Sequence, residues 1–431
     1  MKDDLYLAWS CDEKIQEKGE SGGAVTALLK FALEMKIVDA VLAVKKRNGN
    51  RYDGVLSLIT DSDEVVESAG ALHFAPVNVA KEVSKYLDGA KDLKIAVTCK
   101  PCDCRAIIEL AKRGQINIAN VILIGLNCTG TSLPAVARKM IKDEYHVIPE
   151  DVVGEDLDNG KLIITLSDGI RKQRELEELE EKGYGRRENC RRCAFNIPRM
   201  ADLACGKWGT KDKKATFIEV CSQKGSELIE KAIEAGALIV ETPDEEAIEE
   251  REKKDRQAVE LAQRWEQRDF DFLRRLSNKD RLNYWLEYFN RCIKCFGCRD
   301  VCPICYCKDC YLEPERGFVQ SGQTPPHMMF PLVRLAHVAD SCVNCGQCQD
   351  ACPMEIPLTR LYHMLNRELS SMFGYVPGMD VSEYPPLTTV TPEELHIEEV
   401  NVFKKNEAGQ THLNPNTGRT LHDGVFLFPT D

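Results

Sequence analysis

Apolar and polar positions alternate with different periods along the chain. From residue 1 to about 240, short apolar runs at 38–44, 52–60, 94–99, 121–128 and 215–220 read as strands. Between them lie segments of helical period. In 24–35, Val25, Leu28, Leu29 and Ala32 fall at i, i+3, i+4 and i+7, one face of a helix. Asp158-Asn159-Gly160 precedes Lys161–Leu166, which predicts a hairpin turn. This first part is therefore expected to be an α/β or α+β domain. Residues 241–290 change character: a run of alternating charges at 244–256 is followed by helical-looking sequence with Trp265, Phe270, Phe272 and Trp285. A charge run of this kind ordinarily marks a solvated helix face, so the stretch reads as a helical linker. Residues 291–375 form a third, cysteine-rich region. Residues 376–431, rich in Pro, Thr, Asn and Glu, have little means of building a core. They are expected as an extended tail on the surface or against a partner.

With 431 residues, more than one core is expected. The net charge of −12 argues against a general nucleic-acid surface. The chain has no apolar run long enough for a membrane span, and its beginning lacks the layout of a signal peptide. A cytoplasmic location is the expectation.

Twenty cysteines change the picture most. In a long chain without an export signal, pairs at two-residue gaps favour metal or redox sites over a disulfide framework. Cys292-x2-Cys295-x2-Cys298-x3-Cys302-Pro303 recurs as Cys342-x2-Cys345-x2-Cys348-x3-Cys352-Pro353. In two-cluster ferredoxins this pattern holds [4Fe–4S] clusters, and the fourth cysteine of each run serves the other cluster. The predicted ligand sets are therefore Cys292, Cys295, Cys298 and Cys352 for one centre, and Cys342, Cys345, Cys348 and Cys302 for the other. Zinc is the competing reading, but structural zinc sites use two separated pairs rather than three thiolates followed by Cys-Pro. Between the copies, Cys305, Cys307 and Cys310 are either ligands of a further cluster or spare thiols.

The first region carries Cys99, Cys102 and Cys104 at the end of one strand, Cys128 at the end of another, then Cys190, Cys193 and Cys205. Spacing alone leaves a cluster and a set of buried thiols equally open. Ser21, Gly22 and Gly23 open the helix at 24–35. That start suits a phosphate, although an ordinary N-cap is the commoner meaning of such glycines.

Read in order, SGGAVTALL, SAGALHFAP, TCKPCDCRAI, IGLNC, CRRC and ADLACGKWG resemble the coenzyme F420 hydrogenase/dehydrogenase beta-subunit family over residues 15–240. The resemblance implies a flavin-binding fold holding FAD beside one [4Fe–4S] cluster. Ser21, Gly22, Gly23 and Thr26 would hold the FAD phosphates, with His73 and Pro76 beside the cofactor and Asp202 and Gly206 lining the pocket. The cluster would take Cys102, Cys128, Cys190 and Cys193. Many relatives carry Ser-Lys-Tyr where this chain has Leu72-His73-Phe74. Cys99, Cys104 and Cys205 are additional thiols.

Coenzyme F420, a deazaflavin, is the implied substrate. It transfers hydride while clusters transfer single electrons, and a flavin converts between the two. Lys100, Arg186, Arg187, Arg191 and Arg192 are candidates to attract its anionic tail, or else the arginines solvate a loop. The appended double motif points to the formate-linked branch of the family. Its partner would be a formate dehydrogenase alpha subunit holding a molybdo- or tungstopterin, since nothing in this chain resembles such a site. The alternatives are a subunit feeding a hydrogenase, a sulfite reductase or a membrane dehydrogenase, or a relay to a heterodisulfide reductase complex without F420.

Overall fold

Apolar runs with covered faces set the architecture of the first region. The structure is a computed structural model that describes residues 4–388, apart from 212, 308, 309, 311 and 317–328. The expected tail beyond 388 lies outside the described residues. Eleven strands are described: β1 Leu5–Ser10, β2 Ala40–Lys46, β3 Gly54–Ile59, β4 Ile95–Cys99, β5 Val121–Leu126, β6 Val152–Asp158, β7 Lys161–Leu166, β8 Arg171–Glu175, β9 Leu203–Gly206, β10 Thr216–Val220 and β11 Leu238–Glu241. Eight of them form a mixed sheet in the order β11-β1-β10-β9-β5-β4-β2-β3. The central strands β2, β4, β5 and β9 run parallel, while β3 and the β10-β1-β11 side are antiparallel.

Successive strand residues point to opposite faces, and here both faces are buried. Val41, Ala43, Ala96 and Ile124 pack under α2 (Ala24–Glu34), which follows α1 (Glu13–Lys18). Ala40, Leu42, Ile95, Val97, Val121 and Leu123 pack under α3 (Pro101–Lys112). This double covering explains why the central strands read as unbroken apolar runs. The apolar pattern does not announce β1, β8, β9 and β11: β9 and β11 have only four residues each, and β8 (RKQRE) has no apolar residue.

A second, three-stranded sheet, β6-β7-β8, packs on α4 (Pro134–Tyr145) and α5 (Leu176–Glu181) through Met140, Ile141, Leu162, Ile164 and Leu179. Its first hairpin turns through Asn159 and Gly160 at φ 48° and 74°. Two successive positive φ values are the type I′ geometry that an Asn-Gly pair favours.

After α6 (Glu188–Arg191) and α7 (Gln223–Glu234), the charge run opens α8 (Glu245–Arg275), followed by α9 (Asn278–Phe289). Asp244 caps α8 by accepting from the Ala247 N–H at 2.8 Å, and acidic residues begin the helix while arginines end it. The solvated-face reading fails at Arg251. It is buried, pairs with Glu219 at 3.0 Å and stacks over Phe217, because this face of α8 packs on β10 of the sheet.

The cysteine-rich region adds α10 (Gly297–Asp300), α11 (Met329–Val338), α12 (Gln347–Asp350) and α13 (Leu358–Phe373). Its core joins Phe270, Trp285 and Phe289 to Ile356, Leu361 and Tyr362, with the repeat thiols packed against them. The first residues after α13 lie on α3. Arg105 donates to the Pro377 carbonyl at 2.7 Å, and Gly378 N–H donates to buried Glu109 at 2.7 Å. No helix among the described residues is long and apolar enough to cross a membrane.

Candidate functional site

Parallel strands that end at one edge create a crevice beyond their carboxyl ends. Here a cleft of about 290 Å³ opens there. It is lined by Ala43 and Val44 of β2, Thr98 and Lys100 at the end of β4, Asn127 and Cys128 after β5, and Gly206 and Trp208 at the end of β9. The start of α2 closes one side through Ser21, Gly23, Ala24 and Thr26. No side chain caps that helix and no acidic residue lies in its first turn. Its free N–H groups and positive end therefore face the cleft, an arrangement suited to an anion.

Gly22 and Gly23 make this helix start possible. Both have φ +74°. A Cβ on Gly22 would lie 2.4 Å from the Lys214 carbonyl oxygen, and one on Gly23 would lie 2.6 Å from that of Ile15. Gly22 thus serves the turn and does not itself line the cleft. His73 does line it. Its backbone N–H donates to Glu155 at 3.1 Å, which ties it to the small sheet, while its buried Nε2 has no partner among the described residues.

Lys100 also lines the cleft, but its ammonium is held by Asp103 and by the Val77 carbonyl, each at 2.6 Å. Two residues assigned to this pocket by resemblance are not among those that line the cleft. Pro76 turns its carbonyl to Gln347 of the second cysteine repeat, at 2.9 Å. Asp202 stands at the opposite end of β9 from Gly206, where it accepts from the Leu123 N–H at 2.7 Å and from the Ser222 hydroxyl. It fastens strand ends together rather than lining the cleft. Sequence reasoning missed the lining residues Thr98, Asn127, Thr131, Trp208 and Thr216. Their only signal is position beside strand ends.

Cys102 opens α3, Cys128 follows β5, and Cys190 and Cys193 lie in and just after α6. The topology gathers them on one side of the cleft. Burial and neighbouring sulfurs raise Cys102, Cys128 and Cys193: Cys128 is pushed to about 12 by burial and by Cys190 and Cys193. Burial and Asp103 push Cys102 well up, with Cys128 and Cys345 adding to the effect. Buried thiols that oppose each other's ionisation in this way suit a strongly positive ligand such as a metal cluster. The extra thiols separate from this group. Cys99 and Cys104 lie with sulfurs 2.9 Å apart in the core under α3, and Cys205 belongs to the core of the other face.

The two repeats fold alike. Lys294 and Asn344 share φ near 55°, and Phe296 and Gly346 take φ 62° and 82°. For Phe296 this is a conformational outlier. The repeated twist turns backbone N–H groups toward sulfur: Lys294 toward Cys292, Asn344 toward Cys342, Gln347 toward Cys345. Such bonds tune thiolate-held clusters.

The thiols surround two separate cavities, and each mixes the repeats. Cys292, Cys295, Cys298 and Cys352 line one. Cys302, Cys342, Cys345 and Cys348 line the other. Among the described residues, no three such side chains converge closely enough for a single metal ion. Of the thiols between the copies, Cys310 is buried beside Phe296, Leu312 and Phe330 and Cys307 is exposed, yet the sulfur of Cys307 acts on Cys305 and that of Cys310 on Cys307.

The arginines considered for a deazaflavin tail are engaged inside the protein. Arg186 pairs with Glu180 at 2.6 Å, and Arg192 with Glu188 at 3.1 Å and with Asp269. Arg191 donates to the Arg186 and Tyr184 carbonyls. Arg187 reaches the Cys345 carbonyl and pairs with Asp350 at 3.1 Å. Beside it, Asn189 and Asn344 exchange amide-to-carbonyl bonds of 2.9 Å each. This seam joins the Cys190 loop to the second repeat.

Residues 5–83 and 92–246 match, in that order, the models for the N-terminal and C-terminal parts of the coenzyme F420 hydrogenase/dehydrogenase beta subunit. Residues 288–356 match the 4Fe-4S dicluster domain. The F420-dependent formate dehydrogenase subunit beta of Methanocaldococcus jannaschii is 48% identical over 385 residues, 89% of this chain and 98% of that protein. The F420-dependent formate dehydrogenase 1 subunit beta of Methanococcus maripaludis is 44% identical over 390 residues, 90% of this chain and 98% of that one. A chain of the F420-reducing [NiFe] hydrogenase complex from Methanosarcina barkeri shares the fold with a TM-score of 0.52 at 18% identity. That likeness covers 62% of this chain and 92% of the hydrogenase chain.

Proposed function

The chain belongs to the coenzyme F420 hydrogenase/dehydrogenase beta-subunit family, and from that premise we propose that it is the electron-transfer beta subunit of an F420-dependent formate dehydrogenase. The observation that carries this reading is the span of the likeness. The formate-linked relatives match 89% and 90% of the chain in sequence, whereas two coenzyme F420 hydrogenase beta subunits match 53% and 54%. A formate-oxidising alpha subunit is the partner this reading requires.

FAD belongs in the cleft on this reading. The uncapped start of α2, the Gly22-Gly23 turn and the partnerless His73 Nε2 are features that a phosphate-bearing, hydrogen-bonding ligand would satisfy. Ser21, Gly23 and Thr26 would receive its phosphates, His73 and Gly206 would border it, and F420 would approach from the open side. Three [4Fe–4S] clusters fit the three thiol groups: Cys102, Cys128, Cys190 and Cys193 beside the cleft, then the two sets of the repeat. When bound, the flavin supplies exchange between hydride and single electrons, and the clusters supply one-electron transfer. The chain's own residues bury the thiols, aim backbone N–H groups at sulfur, and lock the Cys190 loop to the second repeat through the Asn189–Asn344 pair.

Anaerobic purification with iron, sulfide, zinc and flavin measured together tests this assignment. The expected result is about twelve iron atoms per chain, one FAD and no stoichiometric zinc. Iron near eight in fully reconstituted protein would remove the cluster beside the cleft. Stoichiometric zinc without iron would overturn the scheme.

A further inference from the structure

Arg334 lies on α11 and is only 1% exposed. Its Nη2 donates to the Cys298 carbonyl at 3.3 Å, and its buried Nε has no hydrogen-bond partner among the described residues. The ionisable groups that act on it most strongly are the sulfurs of Cys302, Cys305 and Cys298 and the Tyr362 hydroxyl, and no carboxylate among the described residues forms an ion pair with it. Tyr362 lines both repeat cavities, and its own buried hydroxyl is without a partner among the described residues. Cys298 and Cys302 belong to different cavities. The guanidinium therefore lies against Cys298 of one thiol set, next to Tyr362, which borders both cavities, with no ion-paired acidic side chain among the described residues to balance it.

Burying a lone cation is costly unless an anion lies beside it. Arg187 and Arg192, also buried, have Asp350 and Glu188 respectively. For Arg334, among the described residues, the sulfur sites are the source of negative charge at hand. A cubane held by four thiolates is net negative and becomes more so when it accepts an electron, with no proton taken up. A fixed cation at short range in a low-dielectric interior favours the reduced form.

We propose that Arg334 is the built-in counter-charge of both ferredoxin-type centres and holds their reduction potentials up. The proposal rests on the reading that the eight repeat thiols bind [4Fe–4S] clusters. A guanidinium suits the task because its charge is permanent and its donors are fixed in one plane.

The test uses the full chain, reconstituted anaerobically, with Arg334→Met and Arg334→Lys beside wild type. Iron and EPR of the wild type establish whether the clusters are present; their absence would refute the underlying reading rather than this inference. EPR-monitored redox titration then reads the midpoints. In Arg334→Met both ferredoxin-type signals should titrate lower. At the wild-type midpoint the reduced-to-oxidised ratio should fall about tenfold, equivalent to about 59 mV for one electron. The centre beside the cleft should move less, and Arg334→Lys should stay close to wild type. Full iron with unchanged midpoints in Arg334→Met would overturn the proposal. Loss of clusters in Arg334→Met but not in Arg334→Lys would support it, since only the charge distinguishes the two outcomes. Loss in both would overturn it in favour of a purely steric role.

Discussion

Cys302 lies in the first cysteine repeat by sequence but lines the cavity of the second. Cys352 does the reverse. Cys302→Ala should therefore remove the centre whose other thiols are Cys342, Cys345 and Cys348, and leave the one beside it in sequence. The structure sets the size of the effect. Cys302 borders only one cavity, so one centre is lost, and iron should fall from about twelve to about eight atoms per chain. The position of that centre matters as well. The sulfur of Cys345 acts on Cys102, while Cys292 is acted on by Cys352 and Cys295 of its own set. The Cys345 centre is also the one bonded to the Cys190 loop, through Arg187 on the Cys345 carbonyl and the Asn189–Asn344 pair. The assay pairs iron analysis with EPR of the dithionite-reduced chain in four variants. The spectrum of Cys302→Ala should match that of Cys345→Ala, and Cys352→Ala should match Cys295→Ala. If Cys302→Ala instead reproduces Cys295→Ala, the crossed assignment is wrong.

Three further outcomes follow from the same geometry. Ser21→Asp places an anion at the open start of α2 without the backbone clash that any side chain on Gly23 would meet. At an effective dielectric near the surface value, repulsion of a phosphate some 4 Å away is about 1–4 kcal/mol; FAD affinity should drop at least about fivefold, read as flavin fluorescence after unfolding, while iron is retained. Asp202→Ala should leave FAD content unchanged yet lower stability by about 2–3 kcal/mol, seen as a reduced Tm, because its carboxylate bonds the Leu123 N–H and the Ser222 hydroxyl; selective loss of flavin would return it to the pocket. Arg251→Met strands Glu219 with only Arg199 and should destabilise the first region by about 3 kcal/mol, measured by denaturant unfolding, with the ferredoxin-type EPR signals intact at low denaturant.

How much of this was legible follows from the range over which each feature is encoded. The cysteine repeat is local, so its spacing reveals the ligand chemistry, and the crossing follows from a known pattern. The φ of Phe296 is not legible, since nothing in an aromatic residue announces a left-handed backbone. Cys102, Cys128, Cys190 and Cys193 meet only because β4 and β5 lie side by side and end at one edge, and spacing could not distinguish them from buried thiols. Asp202 and Gly206 look adjacent in sequence, but the four-residue β9 carries them to opposite ends of the sheet. Charge patterning saw the arginines at 186–192 and 251 as surface groups. Their partners Glu180, Asp350, Asp269 and Glu219 are distant or unremarked in the sequence, and only folding reveals the pairings.

The central claim is that this chain meets deazaflavin and passes its electrons on, while formate is handled elsewhere. Anaerobic stopped-flow mixing of the isolated, FAD-loaded chain with reduced F420, NADH or formate, following flavin absorbance, tests it most directly. Reduced F420 should bleach the flavin rapidly. NADH should be poor, because the chain has no Gly-x-Gly-x-x-Gly helix start to cradle a dinucleotide, and formate should do nothing without a partner subunit. Rapid bleaching by NADH but not by reduced F420, or by formate alone, would contradict the account.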